Sequence, residues 1–200
     1  MLHGNLTRTH RELLIASLRN WSSAVLLWNI ALDRTGGPVQ APNSACQHCT
    51  GVVTVDDRTG TVSYGRDYYQ LGQASSFIQP GGRRIGSNNF VTYNSTVLNR
   101  GPNYATAGLD DIAFANPDGS KVLLVFNNSS SRSEHFAVKS GRRSFRHTLP
   151  PQATATFVWD RPARRGDAHG GSFTEHQILL SRSGPPSILV EASEALDVLA

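Results

Sequence analysis

The chain has 200 residues, a formal charge of +4 and a hydrophobic share of 38%. This suits a folded core in one domain or two small ones, but it is too short for a whole (β/α)8 barrel, which takes roughly 250 residues. The cationic excess is thin and partly gathered at Arg161-Pro162-Ala163-Arg164-Arg165; without aromatic residues interleaved among the basic ones it argues against a nucleic-acid partner.

Leu14, Leu18 and Trp21 fall at helical spacing with Ile15 beside them, which predicts a helix over Arg11–Asn20 whose apolar stripe is core packing. The run Ala24 to Leu27 is apolar without alternation, as in a strand buried on both faces, and places a strand over about 24–33. Trp28-Asn29 stands at the C-terminal mouth of that strand, where an indole offers a flat apolar face to a sugar and an amide hydrogen-bonds its hydroxyls. The competing role for Trp28 is a plain core aromatic, whereas a buried Asn29 amide needs partners. Asp33 ends the strand before Gly36-Gly37-Pro38, a position suited to capping a loop.

Cys46 and Cys49, with Gln47-His48 between them, are the only cysteines. They make half a zinc site at most, and a redox motif would have to open a helix. Pro42-Asn43-Ser44 and Thr50-Gly51 instead mark a loop, leaving a local disulfide or two thiols, and no metal is expected.

Gly51–Val55 and Thr61–Tyr64 are β-branched runs around the turn residues Asp56-Asp57-Arg58-Thr59-Gly60, which predicts a hairpin. Tyr68, Leu71, Ser75 and Ile78 repeat at helical spacing, placing a helix over about 67–79 that Pro80-Gly81 stops. From Arg83 the texture changes to short alternating strands. Ile112 and Phe114 share one face, Val122, Leu124 and Phe126 share another, and Asn116-Pro117-Asp118-Gly119 turns between them. His135–Lys139, Ser144–Leu149 and Thr154–Trp159 continue the pattern, so an antiparallel β-sandwich with period-two burial is expected over 81–160. Asn88–Ala107 is a polar insertion that fits a strand or a long loop. Residues 161–200 read as a linker or disordered tail, with room for a short amphipathic helix over Ser187–Leu199.

Trp28-Asn29-Ile30-Ala31-Leu32-Asp33, Gly36-Gly37-Pro38, Asp67-Tyr68-Tyr69-Gln70-Leu71-Gly72, Ser76-Phe77-Ile78-Gln79-Pro80-Gly81 and Arg84-Ile85-Gly86-Ser87 resemble, in order and spacing, the C-terminal part of glycoside hydrolase family 30, which includes the glucosylceramidases. Asn116 to Val125, and Leu149-Pro150 through Thr156-Phe157-Val158-Trp159, resemble its closing sandwich. The resemblance implies a mainly β fold: an antiparallel β-sandwich preceded, over 1–80, by the last βα elements of an incomplete TIM barrel. It implies a parent enzyme that hydrolyses β-glucosides or related glycans with retention, on a carbohydrate or glycolipid substrate and without a cofactor. Trp28 and Asn29 would then line the sugar pocket. The family's two catalytic glutamates lie on earlier barrel strands, which would precede Met1, so no catalytic residue is expected here and the chain alone should be inactive.

Glu12, Glu134, Glu175, Glu191 and Glu194 lack the required strand context; Phe173-Thr174-Glu175 matches only the short surroundings of the family's nucleophile. His48, His135 and His147 have no acidic neighbours at triad spacing. Gln73 and Ser76 depart from the histidine and basic residue common in the family, which bears on contacts at the helix surface. The alternative function is a free-standing carbohydrate-binding or accessory module, with Tyr64, Tyr68 and Tyr69 as its nearest aromatic cluster. The family is extracellular or lysosomal, but nothing after Met1 has the form of a secretory signal and no apolar run approaches the ~20 residues of a membrane span, so the chain as written is expected in the cytoplasm.

Overall fold

The computed structural model describes residues 13–38, 51–87, 108–140, 143–159, 173–179 and 187–189. The chain divides into two compact units, Met1–Gly72 and Gln73–Ala200.

In the first unit, residues 13–16 make a π-helical turn that runs into α1 (Ser17–Arg19), with Leu14 and Ile15 buried as the apolar stripe requires. Trp21 leaves the stripe: its backbone turns to φ 70° and its indole is exposed. Strand β1 (Ala31–Asp33) pairs in parallel with β2 (Val53–Val55), and β2 pairs antiparallel with β3 (Val62–Tyr64). The β2–β3 hairpin forms where turn chemistry places it. The Asp56 carboxylate accepts the Arg58 and Thr59 N–H groups, and the Gly60 N–H bonds the Asp56 carbonyl at 2.7 Å.

The strand expected over about 24–33 is shorter than its apolar run. Pairing with β2 begins only at the Asn29 and Ile30 carbonyls, and the preceding residues have no ladder partner among the described residues. Burial there alternates, with Val25, Leu27 and Asn29 half-buried while Leu26, Trp28 and Ile30 face out. Burial on both faces requires strands on either side and a layer above and below. The described residues of this unit supply one three-stranded sheet, and no barrel wall forms among them.

Helix α2 (Arg66–Ser75) spans the division between the units. It opens with Asp67 in the first turn, favourable to the helix dipole. It ends before residue 79: Phe77 and Ile78 donate back to the Ala74 carbonyl, and Pro80 disfavours helical backbone at the residue before it.

The second unit is the sandwich. Its larger sheet has six antiparallel strands in the order β11-β10-β9-β6-β5-β4, built from β4 (Arg83–Ile85), β5 (Leu109–Ala115), β6 (Lys121–Asn127), β9 (Thr154–Trp159), β10 (Phe173–Leu179) and β11 (Ser187–Leu189). The hairpin β7 (Glu134–Ser140) with β8 (Arg143–Leu149) forms the second sheet. Ile112 lies opposite Leu124 and Phe114 opposite Val122, so the two apolar sets read as different faces occupy one face of the larger sheet. On the other face, Ala113, Leu123, Val125, Ala155, Phe157 and Trp159 form a core with Val138 and Leu149 of the hairpin. Phe157 sits at its centre, its ring 4.9 Å from Phe145 and 5.2 Å from the His147 imidazole. Burial alone pushes the His147 imidazole below its ordinary range.

Period-two burial holds for β7 and β8, whereas the central strands β5, β6 and β9 are buried on both faces. The C-terminal turn of α2 lies on the Ile112 face, where the Thr156 hydroxyl donates to the Gln73 carbonyl at 2.9 Å and Gln73 is fully buried. Gln73 is thus a packing position rather than a surface contact. Where a linker or disordered tail was expected after residue 160, residues 173–179 continue the sheet beyond β9, with Glu175 opposite Phe157, and 187–189 pair with them. The unpaired outer edge of β9 gives β-prone residues a template. Ser187–Leu189 are strand, not helix; the rest of the expected helix, like Asn88–Ala107, lies outside the described residues.

Two buried asparagines lock the connections. Asn116 donates to the Phe77 carbonyl at 2.9 Å and accepts the Gln79 N–H at 3.0 Å, tying the segment after α2 to the β5–β6 turn. Gly82 allows that approach, because an added Cβ would lie 2.9 Å from the Gln79 carbonyl and 3.1 Å from Asn116 Oδ1. Asn127, fully buried, reaches the carbonyls of Arg132 at 2.8 Å and of Leu149 and Pro150 at 3.0 Å, and accepts the Ser129 N–H at 2.9 Å. Asn127→Leu keeps the branched shape and the number of heavy atoms but strands these carbonyls, and is expected to lower the free energy of unfolding by about 1–3 kcal/mol in a denaturant titration. An unchanged midpoint would remove Asn127 from this role.

Candidate functional site

The candidate site is the segment that leads into β1 and the loop after it; Trp28 and Asn29 precede the paired strand, so they stand at its N-terminal approach and not at the C-terminal mouth expected for a strand over 24–33. The Trp28 indole is 71% exposed, Asn29 is half-buried, and the peptide bond between them is cis. The Asn29 carbonyl accepts the Val52 N–H at 2.9 Å, so this dipeptide is anchored to the sheet through its backbone while the indole projects outward. An exposed indole offers a flat apolar face to a ligand.

Asp33 is committed to the loop. Its Oδ1 accepts the Thr35 N–H and hydroxyl at 2.7 Å each and the Gly37 N–H at 2.8 Å, while the Asp33 and Gly37 backbones bond at 2.7 Å. The Thr35 hydroxyl, then the Gly37 and Thr35 amides, hold the carboxyl below its ordinary range. A carboxylate so engaged is a weak base and a good cap. Gly37 packs closely on the capping carboxylate, since an added Cβ would lie 2.8 Å from Asp33 Oδ2 and push that side chain aside. Arg34 joins the loop to the hairpin turn at 3.3 Å from Asp56 and 3.8 Å from Asp57, an exposed pair that contributes little to stability. Sequence reasoning flagged Asp33 but passed over Thr35 and Arg34; the spacing Asp-x-Thr carries the capping signal.

The described acids outside this loop hold other positions. Glu134 is ion-paired with Arg132 at 3.3 Å beside the hairpin. Asp110 and Asp111, which sequence reasoning did not single out, are buried in β5, but adjacent strand residues point to opposite faces. Glu175 lies on β10, and Glu12, Glu191, Glu194, His48, Cys46 and Cys49 fall outside the described residues. Among the described residues no three His, Cys, Asp or Glu side chains gather to hold a metal ion. Tyr64 and Tyr68 are about half exposed with ring centroids 4.5 Å apart, and Tyr68 meets Tyr69 edge-on at 5.3 Å.

Residues 81–157 match the family model described as the glycosyl hydrolase family 30 beta sandwich domain. This stretch, the described sandwich from β4 to β9, is similar to that domain. An endo-1,6-beta-D-glucanase of Neurospora crassa is 34% identical over 111 residues, 55% of this chain and 21% of that protein. The lysosomal acid glucosylceramidase of Mus musculus is 28% identical over 135 residues, 67% of this chain and 22% of that protein. Among solved structures, the endo-beta1,6-glucanase BT3312 aligns with a TM-score of 0.63 and 26% identity, covering 78% of this chain and 31% of that one. The chain therefore spans less than a third of the length of these relatives.

Asp33 supplies a pH test. Its folded pKa is depressed, so its contribution to the loop is complete above the unfolded value, about 3.9, and is lost as pH falls through the lower folded value. The amide resonances of Thr35 and Gly37 are expected to titrate together with a midpoint below that of an ordinary aspartate, and to lose this step in Asp33→Asn. A midpoint at or above the ordinary value would contradict the capping geometry.

Proposed function

We propose that this chain is the C-terminal part of a retaining β-glycosidase acting on β-glucosides or related glycans, and that alone it does not hydrolyse them. The observation that carries the reading is the match to the family 30 sandwich over residues 81–157, in a chain spanning 21% to 31% of the relatives named above. Retaining hydrolysis needs two carboxyl groups about 5–5.5 Å apart, one to protonate the leaving oxygen and one to attack the anomeric carbon. In this reading both belong to barrel strands outside residues 1–200. Trp28 and Asn29 contribute the apolar floor and a hydrogen-bonding edge of the sugar pocket, with the Asp33 loop holding the end of β1 in place. The endo-1,6-glucanase and glucosylceramidase relatives favour a glucose-containing substrate.

The 200-residue chain is expected to show no turnover of aryl β-glucosides or β-xylosides. Turnover abolished by Glu175→Gln would overturn the reading and make the β10 region an active site. In a full-length parent, Trp28→Ala is expected to reduce kcat/KM by roughly 1–3 kcal/mol through lost stacking, with little change in Tm. A large fall in Tm with normal specific activity of the folded fraction would make Trp28 a packing residue.

A second reading, a glycan-binding module, is favoured by the exposed Tyr64–Tyr68 pair. It expects the isolated chain to be retained on a β-1,6-glucan column and released by Tyr68→Ala; passage of the unsubstituted chain in the void volume eliminates it.

A further inference from the structure

The sequence carries the acceptor pattern Asn-x-Ser/Thr, with x other than proline, at Asn5, Asn20, Asn94, Asn127 and Asn128. Asn20, Asn127 and Asn128 fall among the described residues, and the fold treats them in opposite ways. Asn127 is fully buried with its amide spent on three carbonyls, and Ser129, which completes its pattern, is 2% exposed. Asn128 is buried as well: its N–H donates to the Gly108 carbonyl at 2.9 Å, and its own carbonyl accepts the Gln152 amide at 3.0 Å. Neither side chain can meet a bulky reactant without opening the β6–β7 connection. Asn20 is placed differently. Asn20, Trp21 and Ser22 are all exposed and together close the C-terminus of α1. The Trp21 N–H bonds the Leu18 carbonyl at 3.3 Å and the Ser22 N–H bonds the Ser17 carbonyl at 3.0 Å, a Schellman turn with Trp21 in its left-handed position at φ 70°. The Asn20 side chain donates to the Ala16 carbonyl at 2.8 Å, so these bonds lie within residues 16–22 and the turn is set by local chain.

We propose that Asn20 is an N-glycosylation acceptor, taking an oligosaccharide from a polyprenyl-diphosphate-linked donor. Asn20 Nδ2 attacks the anomeric carbon of the donor's first sugar. The C–N bond forms as the C–O bond to the diphosphate breaks, the amide gives up one proton, and polyprenyl diphosphate leaves. The product amide retains one N–H, enough to keep a bond to the Ala16 carbonyl. The two bonds that close the turn are backbone bonds and do not involve the Asn20 side chain, so the modification leaves the turn intact. The first sugar is attached next to the Trp21 indole, 79% exposed, whose flat apolar face suits a pyranose ring. Ser22 supplies the hydroxyl that the acceptor pattern requires two residues after the asparagine.

The test incubates the whole folded chain with a purified eukaryotic single-subunit oligosaccharyltransferase and its lipid-linked oligosaccharide. Modified positions are read by peptide mapping after enzymatic glycan removal in heavy-oxygen water, which marks each former acceptor as a labelled aspartate. Asn20 is expected to carry the label, and Asn127 and Asn128 to lack it. Asn20→Gln and Ser22→Ala should each abolish the mass shift of the peptide spanning this turn, and Ser22→Thr should retain it. An unmodified Asn20 in the folded chain would overturn the proposal, whether or not a synthetic peptide of residues 14–26 is modified under the same conditions. Modification of that peptide alone would show the folded turn shielding its asparagine, and failure of both would show the local sequence unfit as an acceptor. Equal occupancy of Asn20 and Asn127 in the folded chain would also overturn it, because burial would then not select the site. Glycan persisting at Asn20 in Ser22→Ala would do the same, since the acceptor pattern would not be what the enzyme reads.

Discussion

Everything in the second unit depends on a strand that is apolar on both sides. In β6, Val122, Leu124 and Phe126 face one way and Leu123 and Val125 the other, and all five are buried. Full burial of one such side chain contributes roughly 1.5–3 kcal/mol, so exposing either row would cost several times that amount. A sheet in this position needs a layer on each face. The β7–β8 hairpin, with Phe136, Val138, Phe145 and Leu149, covers the face of Leu123 and Val125, the second of these. The end of α2 lies on the face of Val122, Leu124 and Phe126, where Thr156 bonds Gln73.

Covering both faces creates a problem for the chain that joins the layers, because connecting backbone brings polar groups to the margin of an apolar core. Asn116 and Asn127 resolve it from opposite ends of β6. Each primary amide offers two N–H donors and a carbonyl acceptor on a short side chain, enough to satisfy several loop groups from one buried position. Asn116 holds the segment following α2, and Asn127 joins the β6–β7 and β8–β9 connections. The adjacent turn repeats the device at the surface: Asp118 accepts the Ser120 hydroxyl at 2.7 Å and its N–H at 2.8 Å, and also pairs with the Gln79 amide. The Ser120 hydroxyl, followed by the Ser120 amide and Gln79, keeps the Asp118 carboxyl below its usual range.

The first unit is arranged differently. It has a small sheet, a carboxylate-capped loop and an exposed row of Leu26, Trp28 and Ile30. An apolar run with hydrogen-bond partners only at its end is what remains when local sequence prescribes a strand and the described neighbours are too few to bury it. Asp33 belongs to the architecture of the loop, and its full set of donors explains why an acid at a strand end need not be catalytic.

Local chemistry alone determined the elements whose signals lie within a few residues. The Asp56–Gly60 turn specified its hairpin, Asn116-Pro117-Asp118-Gly119 specified the β5–β6 turn, and alternation or apolar runs marked β5 to β9. The order of motifs was sufficient to point to the family. What local chemistry could not decide was how many neighbours each strand would have. Periodicity says which side chains share a face, but not whether one face or both will be covered, so β5, β6 and β9 were read as half-buried and Ala24–Leu27 as fully buried, each the reverse of what forms. Register placed Ile112 and Leu124 on a common face, and a free sheet edge turned residues 173–179 from expected tail into strand. Burial and edge pairing are properties of the assembled sheets; they depend on contacts between residues distant in sequence, and no window of the chain contains them.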